Sequence, residues 1–324
     1  MNDLNIPAEN RYARRLHRLI ADSRALLDEA IETEITGQGK RLAGICLLFS
    51  GGNDSTVLAH LFAGLATHVV HANTGIGIEQ TRQFVRDCAR DWHLPMLEYA
   101  PRPNDSYETL VMGRCRAQTG PNAGVIAWPG GFPGPAAHYQ MYQRLKERAL
   151  DRVKRELVAN PARERVIFLA GRRAAESARR TARFGAAELR PVERRGSAVW
   201  VSPLLPWAKT DLNTYRLANP DMPHNEVTDM IHMSGECLCG AFAHPGELDE
   251  IAMWDALKPT VFYIRGLEKR VQESGVAPPK RCRRGWGAGS EAPSRSGPLC
   301  STCDARAVQL ELFPGSTSAA KEAA

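Results

Sequence analysis

Two groups of residues in this chain have the types and spacings that chemistry requires. The first is Ser50-Gly51-Gly52-Asn53-Asp54-Ser55-Thr56, hydroxyls and a carboxylate gathered around a glycine pair. Glycine leaves the main chain open to close approach, and backbone N–H groups in such a turn point at anions. A helix that starts directly after it adds unpaired N–H groups and a partial positive charge, which completes a cradle for phosphate. An ordinary strand-to-helix turn capped by Asp54 or Ser55 uses the same residues. The second group is a set of cysteines concentrated in the C-terminal third: Cys237 and Cys239 in a glycine-flanked turn, then Cys282, then Cys300-Ser301-Thr302-Cys303. Thiolates so spaced aim at one ion, and two such turns are the usual way to complete tetrahedral ligation. These five thiols are more than one such site needs.

A phosphate loop of this kind needs a strand before it and a helix after it. The apolar run over residues 42–49 supplies the strand, and Val57, Leu58, Leu61 and Phe62 resume with helical spacing. Upstream, Leu16, Leu19, Ile20, Leu26, Leu27, Ala30 and Ile31 form the apolar face of one helix over residues 8–34, which Gly37-Gln38-Gly39 ends. Downstream, residues 68–72, 96–100, 165–170 and 199–204 fit further strands, with a helix over 79–93 and another from Thr210 or Asp211 to about Ala218. His71, at the end of its strand, fits a ligand-facing base or a structural histidine equally. Strands alternating with helices define an α/β fold with a mostly parallel, doubly wound sheet, whose ligands sit beyond the carboxyl ends of the strands. Residues 101–137, dense in Pro, Gly and Asn, fit either a lid over a substrate or an irregular surface excursion. Residues 138–158 form a basic amphipathic helix whose Arg144, Lys146, Arg148, Arg152, Lys154 and Arg155 can track a phosphate backbone or simply face solvent. Residues 246–272 read as helices, and residues 275–298 are so rich in Pro, Gly and Arg that a metal is needed to order them.

Ser-Gly-Gly-x-Asp-Ser directly after a strand resembles the PP-loop of the ATP pyrophosphatases, the adenine nucleotide alpha hydrolase-like superfamily. It is not a Walker A loop, because no Gly-Lys-Ser/Thr follows. The resemblance implies that the loop holds the β,γ-pyrophosphate of ATP, bound with Mg2+, during attack on the α-phosphate, and gives Asp54 and Arg173 the catalytic roles. Asn73-Thr74-Gly75, followed by Glu79 and Thr81, looks like the segment that borders the adenosine in the phosphoadenosine phosphosulfate (PAPS) reductase branch. Gly171-Arg172-Arg173, followed by Glu176, Ser177 and Arg180, looks like a third signature, shared by PAPS reductases and DNA phosphorothioation enzymes. There, Gly171 permits close backbone approach and Arg173 forks onto phosphate or sulfate oxygens. Two residues depart from the pattern: Asn53 stands where many members carry Lys, and Asn73 where Asp is usual. Arg172 or Arg173 is expected to supply the missing cation. For the cysteines, the same branch implies a [4Fe–4S] cluster, with structural Zn2+ as the alternative, because spacing does not separate the two. A thiol left over is available as a sulfur-carrying nucleophile.

The bulk properties agree with an enzyme of this size. The 324 residues are 43% hydrophobic and 24% charged, ordinary for a globular chain. No apolar run approaches membrane-spanning length, and Met1-Asn2-Asp3-Leu4-Asn5 is no secretory leader, so a cytoplasmic protein without a membrane partner is expected. A net charge of +6 admits anionic substrates or nucleic acid. The expected organisation is an N-terminal helix (1–40), a PP-loop nucleotide-binding domain (41–235), a Cys-bearing metal or cluster region (236–313) and a disordered tail (314–324). The expected function is cleavage of ATP to AMP and pyrophosphate to activate a substrate for a sulfur donor. Reduction of an adenylyl sulfate by a cysteine thiolate is the alternative, and a nucleotide- and nucleic-acid-binding protein without turnover is a further one. All three require the loop at residues 50–56 and the loop at 171–173 to meet on one side of the molecule.

Overall fold

The computed structural model describes residues 11–174 and 190–288. The central sheet is built from β1 (Arg41–Leu48), β2 (His68–Ala72), β3 (Met96–Tyr99), β5 (Glu164–Ala170), β6 (Val192–Arg195) and β7 (Ala198–Val201), in the order β3-β2-β1-β5-β7-β6. Neighbouring strands run parallel except β6 and β7. β5 is buried along its whole length, which matches its continuous apolar run and its central place in a parallel sheet. The short strands β4 (Phe132–Pro133) and β8 (Cys282–Arg283) form a separate antiparallel ribbon. The pairing of β6 with β7 adds a hairpin to the strands expected from sequence. Its turn is Gly196-Ser197, with Gly196 at a φ of 64° that an L side chain rarely adopts.

Ten α-helices complete the described chain: α1 (Arg11–Glu34), α2 (Asn53–Phe62), α3 (Glu79–Asp91), α4 (Tyr107–Val111), α5 (His138–Tyr142), α6 (Arg148–Leu157), α7 (Lys209–Ala218), α8 (Val227–Ile231), α9 (Glu247–Ala252) and α10 (Lys258–Glu273). A π-helical turn over Gln143–Glu147 joins α5 to α6, so residues 138–157 run as one rod. α1 is fastened to the far end of the sheet. Arg15 holds Asp211 through both guanidinium edges at 2.7 and 2.9 Å, and Ser23 bridges the Pro203 carbonyl and the Trp207 indole. Asp211 is therefore not the N-cap of α7. It sits in the first turn and accepts from the Ala208 N–H at 2.7 Å, one half of a capping box, and its carboxylate also favours the helix N-terminus. None of the described helices is long and apolar enough to cross a membrane.

The apolar side chains form two main cores and a third, smaller one around Val70, Leu150, Val166 and Phe168. One lies between α1, α2, α3 and the sheet, around Leu47, Val57, Phe62, Val69 and Trp207. The other is built from Tyr107, Leu110, Val111, Trp128 and Phe132 together with Ile231, Leu238, Val261, Leu267 and Trp286. Residues 101–137 are thus neither wholly lid nor wholly surface: their aromatic residues are core, while residues 120–126 are exposed. This core draws on both sides of position 235. Residues 1–10, 314–324, Glu176, Ser177, Arg180, Cys300 and Cys303 lie outside the described residues.

Candidate functional site

β1 leads into Phe49 and Ser50, and the chain turns at Gly51, whose φ is 73°. A side chain there would meet Thr81 Cγ2 at 2.9 Å, and the Asn225 amide donates to the Gly51 carbonyl at 2.8 Å. Both conditions favour glycine. Helix α2 begins at Asn53 with Gly52 as N-cap. Ser55 and Thr56 both spend their hydroxyls on the Gly52 carbonyl at 2.9 Å, and Ser50 lies 3.2 Å from Ser55. The hydroxyls therefore brace the turn, while the N–H groups of the first helical turn face outward with the positive end of the helix dipole.

The loop opens into a cavity of about 460 Å³ at the carboxyl edge of the sheet. Its walls come from the ends of β1, β2 and β5, from Trp200 on β7, and from Tyr142, Lys146 and Leu150 on the 138–157 rod. Gly171, after β5, packs on the phosphate loop so tightly that an added Cβ would sit 3.3 Å from Asp54 and Ser55 backbone atoms. Arg173 follows, fully buried, and its Nε donates to Asp54 Oδ2 at 2.6 Å. The two loops expected to meet do meet, and a buried ion pair joins them.

That ion pair changes the expected role of Arg173. Its charge is matched by Asp54, and Arg172 turns to Ser202 Oγ at 2.9 Å, with Glu193 at 4.0 Å. The further cations are Lys146, read from sequence only as part of the basic run of its helix, and Lys209, which sequence reading passed over. Both line the cavity, and Lys209 Nζ lies 3.9 Å from Asp54 Oδ1. A lysine at the first residue of a helix is disfavoured by the dipole, so Lys209 at the start of α7 was a readable sign of an anion nearby. Lys146 was readable too, one helical turn from Tyr142 and from Leu150. Burial works against its charge, but the groups Cys237 and Glu236 outweigh burial and hold its pKa above the ordinary value. Asn53, in the usual lysine position, receives the Thr228 hydroxyl at 3.3 Å.

Asn73, Thr74 and Gly75 are not among the residues that line the cavity. Asn73 donates to Glu98 at 2.7 Å and accepts from the Gly75 N–H, and Thr74 binds the carboxylate and carbonyl of Glu236 at 3.0 and 2.7 Å. These bonds shape the turn after β2. Just inside lies His71. Its Nδ1–H donates to the Phe49 carbonyl at 2.8 Å, which leaves Nε2 facing Glu236 Oε2 at 3.2 Å with both groups buried. That contact is attractive only with a proton on Nε2 or on the carboxyl.

Behind Glu236, Cys237 and Cys239 touch each other. The hydrogen bond from Cys239 is the main reason that the Cys237 thiol is held below its ordinary pKa, with Lys146 adding to it against the cost of burial. Cys239, the donor, is pushed up. Cys282 is buried on β8 and belongs to the same apolar core. Among the described residues no group of three or more His, Cys, Asp or Glu side chains is arranged to hold a metal. The described thiols therefore fit one half of a tetrathiolate site and no more, with Cys300 and Cys303 outside the described residues.

Sheet order, the glycine turn after β1 and the arginine turn after β5 together define an α/β fold with a mostly parallel sheet and two loops that meet at its carboxyl edge. Three of the solved structures similar to this chain follow. The phosphoadenylyl-sulfate reductase of Candida auris, in a phosphate complex, is 16% identical over 70% of this chain and 94% of that one, with a TM-score of 0.41. The FMN adenylyltransferase of Candida glabrata, with FAD and inorganic pyrophosphate, is 14% identical over 70% of this chain and 66% of its own, with a TM-score of 0.45. The U34-tRNA thiolase of Methanococcus maripaludis, with its [4Fe-4S] cluster, is 10% identical over 83% and 87%, with a TM-score of 0.38. At these identities the likeness is one of fold. No protein family and no curated protein matches the chain by sequence.

Proposed function

We propose that this chain binds ATP with its phosphates against residues 50–56 and splits it at the α-phosphate. A substrate oxygen attacks the α-phosphorus, pyrophosphate leaves, and the adenylylated substrate is then open to a sulfur donor that displaces AMP. The observation that carries this reading is the contact of the two loops: Gly171 lies against Asp54 and Ser55, and Arg173 is bonded to Asp54. The residues have distinct tasks. The N–H groups at the start of α2 receive the leaving pyrophosphate. Lys146 and Lys209 offset charge that develops there, and a low-dielectric wall of Leu48, Val70, Leu150 and Trp200 strengthens them. Mg2+ entering with ATP supplies further charge neutralisation on the phosphates.

The test is product analysis. Incubation with ATP, Mg2+ and candidate acceptors is expected to release AMP and pyrophosphate in equal amounts, and ADP with inorganic phosphate would overturn the reading. One observation favours a second reading, reduction of an adenylyl sulfate. The Cys237 thiol is disposed to ionise and has a second thiol beside it. Sulfite released from adenylyl sulfate, with no pyrophosphate from ATP, would establish that chemistry instead. For the thiols, the same proposal assigns Cys237 and Cys239 to a [4Fe–4S] site completed from Cys282, Cys300 and Cys303. Iron and acid-labile sulfide in protein purified without oxygen are the expected result, and zinc alone would make the site structural.

A further inference from the structure

The rod over residues 138–157 serves two cavities. Tyr142, Lys146 and Leu150 face the nucleotide cavity, while Arg144, Arg148, Arg152 and Arg155 face a second cavity of about 1000 Å³. Steps of three and four residues generate both rows, so each cavity owns one side of the same helix. The second cavity is completed by the segment after β3 (residues 99–105) and by residues 116–119.

Its charge is one-sided. Seven arginine and lysine side chains line it against two carboxylates, Asp105 and Asp151, a surplus of five positive charges. Asp105 is buried and holds two of the cations, Arg144 at 2.7 Å and Arg148. Asp151 holds Lys154 at 2.7 Å. The remaining heads are braced by neutral groups: Arg152 lies 4.2 Å above the Tyr99 ring, and Arg116 donates to the Gly124 carbonyl at 2.8 Å. Arg102 is exposed and has no side-chain partner among the described residues. Like charges gathered at this density repel one another, so the wall is most stable with an anion against it.

The dimensions select a polymeric anion. Arg144 to Arg155 spans about 16 Å of helix, with axial steps of about 6, 6 and 4.5 Å between successive arginine positions, comparable to the spacing of phosphates along an extended strand. Six of the seven cations are arginine, whose planar fork matches phosphate oxygens. We propose that this groove binds the phosphodiester backbone of a polynucleotide and thereby presents it to the nucleotide cavity across the rod. As a docking surface for the substrate it rests on the ATP chemistry proposed above; as a binding surface it does not.

The test uses the full-length protein and fluorescence anisotropy. The labelled probes are single-stranded RNA, single-stranded DNA and duplex DNA of one mixed sequence, with poly-glutamate as the acidic polypeptide, at salt concentrations between about 50 and 200 mM. The expected result is binding to at least one polynucleotide that weakens steeply with salt. Arg152→Glu combined with Arg155→Glu is expected to weaken it at least about tenfold and to flatten the log–log salt slope by about 2. ATP binding by that variant should be unchanged, because both residues face away from the nucleotide cavity. Whether RNA or DNA binds better identifies the polymer. Unaltered polynucleotide binding by the variant, absence of binding to all three nucleic acids, or equal binding of poly-glutamate would overturn the proposal. Should the Glu pair fail to fold by circular dichroism, Arg152→Gln with Arg155→Gln carries the same test. Polynucleotide binding without pyrophosphate release would sink the ATP reading and leave the groove standing.

Discussion

At the scale of single residues, the site is governed by how its charges are already paired. Arg173 is 2% exposed and Asp54 20%, so their contact is largely shielded from water. Asp54→Asn leaves a buried guanidinium without its counter-charge, a change that costs about 3 kcal/mol. Urea unfolding of the variant is expected to show a loss of that order, and an unchanged midpoint would mean that Arg173 has another sufficient partner. Lys209 is a different case. It is half-buried, 3.9 Å from Asp54, and it stands at a helix start where the dipole repels it. In the function proposed above, a phosphate beside it offsets that repulsion. Lys209→Ala is therefore expected to weaken ATP binding by about tenfold or more, the usual worth of a charge-assisted hydrogen bond. Calorimetric titration should show AMP affected much less, since its single phosphate is not the tail that the loop cradles. Equal losses for ATP and AMP would place Lys209 at the α-phosphate instead.

At the scale of elements, the turn after β2 shows why some of the site was legible and some was not. The strand–glycine–helix unit could be read from local pattern alone, because the apolar run, the glycine pair and the helical spacing are contiguous. The β5 turn could be read for the same reason. What Asn73, Arg172 and Arg173 do could not, because their partners, Glu98, Ser202 and Asp54, are 25, 30 and 119 residues away. The Gly196-Ser197 hairpin, by contrast, carried a local turn signal that went unread. Glu98 is the hub of the β2 turn: Arg86 grips both its oxygens at 2.8 and 2.9 Å, and Asn73 adds a third donor. The Arg86 hydrogen bonds hold its pKa below the ordinary carboxylate range. A depressed acid stabilises the fold above its unfolded pKa, and that stability is lost as pH falls through the folded value. Thermal melts of wild type and Glu98→Gln should therefore differ by about 1 kcal/mol at neutral pH. The gap should close as the pH falls below about 4, where glutamate in the unfolded chain is itself protonated. A gap that persists in acid would assign the effect to packing.

At the scale of the whole molecule, the cavity lies between the smaller core, which supplies Leu48, Val70, Leu150 and Trp200 to its wall, and the core around Trp128 and Trp286, whose neighbour Met233 also lines it, and a short seam runs beside it. Ile78 N–H donates to Gly235, Leu238 N–H to Ile76, and Thr74 Oγ1 to Glu236, so residues 74–78 and 235–238 zip together beside the cavity. Gly77 is the point of closest approach: a Cβ there would lie 2.3 Å from the Glu236 carbonyl oxygen, and only backbone surrounds it. No rotamer change relieves such a contact, so Gly77→Ala must open the seam. The central strands β1 and β5 are remote from it and bonded to each other along seven residue pairs. Hydrogen exchange on Gly77→Ala is thus expected to accelerate at the Ile78 and Leu238 amides by about a hundredfold, equivalent to about 2.7 kcal/mol of local opening, with β1 and β5 little changed. Because the seam also carries Glu236 to His71 and sets Cys237 against Lys146, ATP binding and the reactivity of the Cys237 thiol should fall together. Uniform acceleration across both cores would show instead that they unfold as one unit, and that the cavity is not a junction between separable parts.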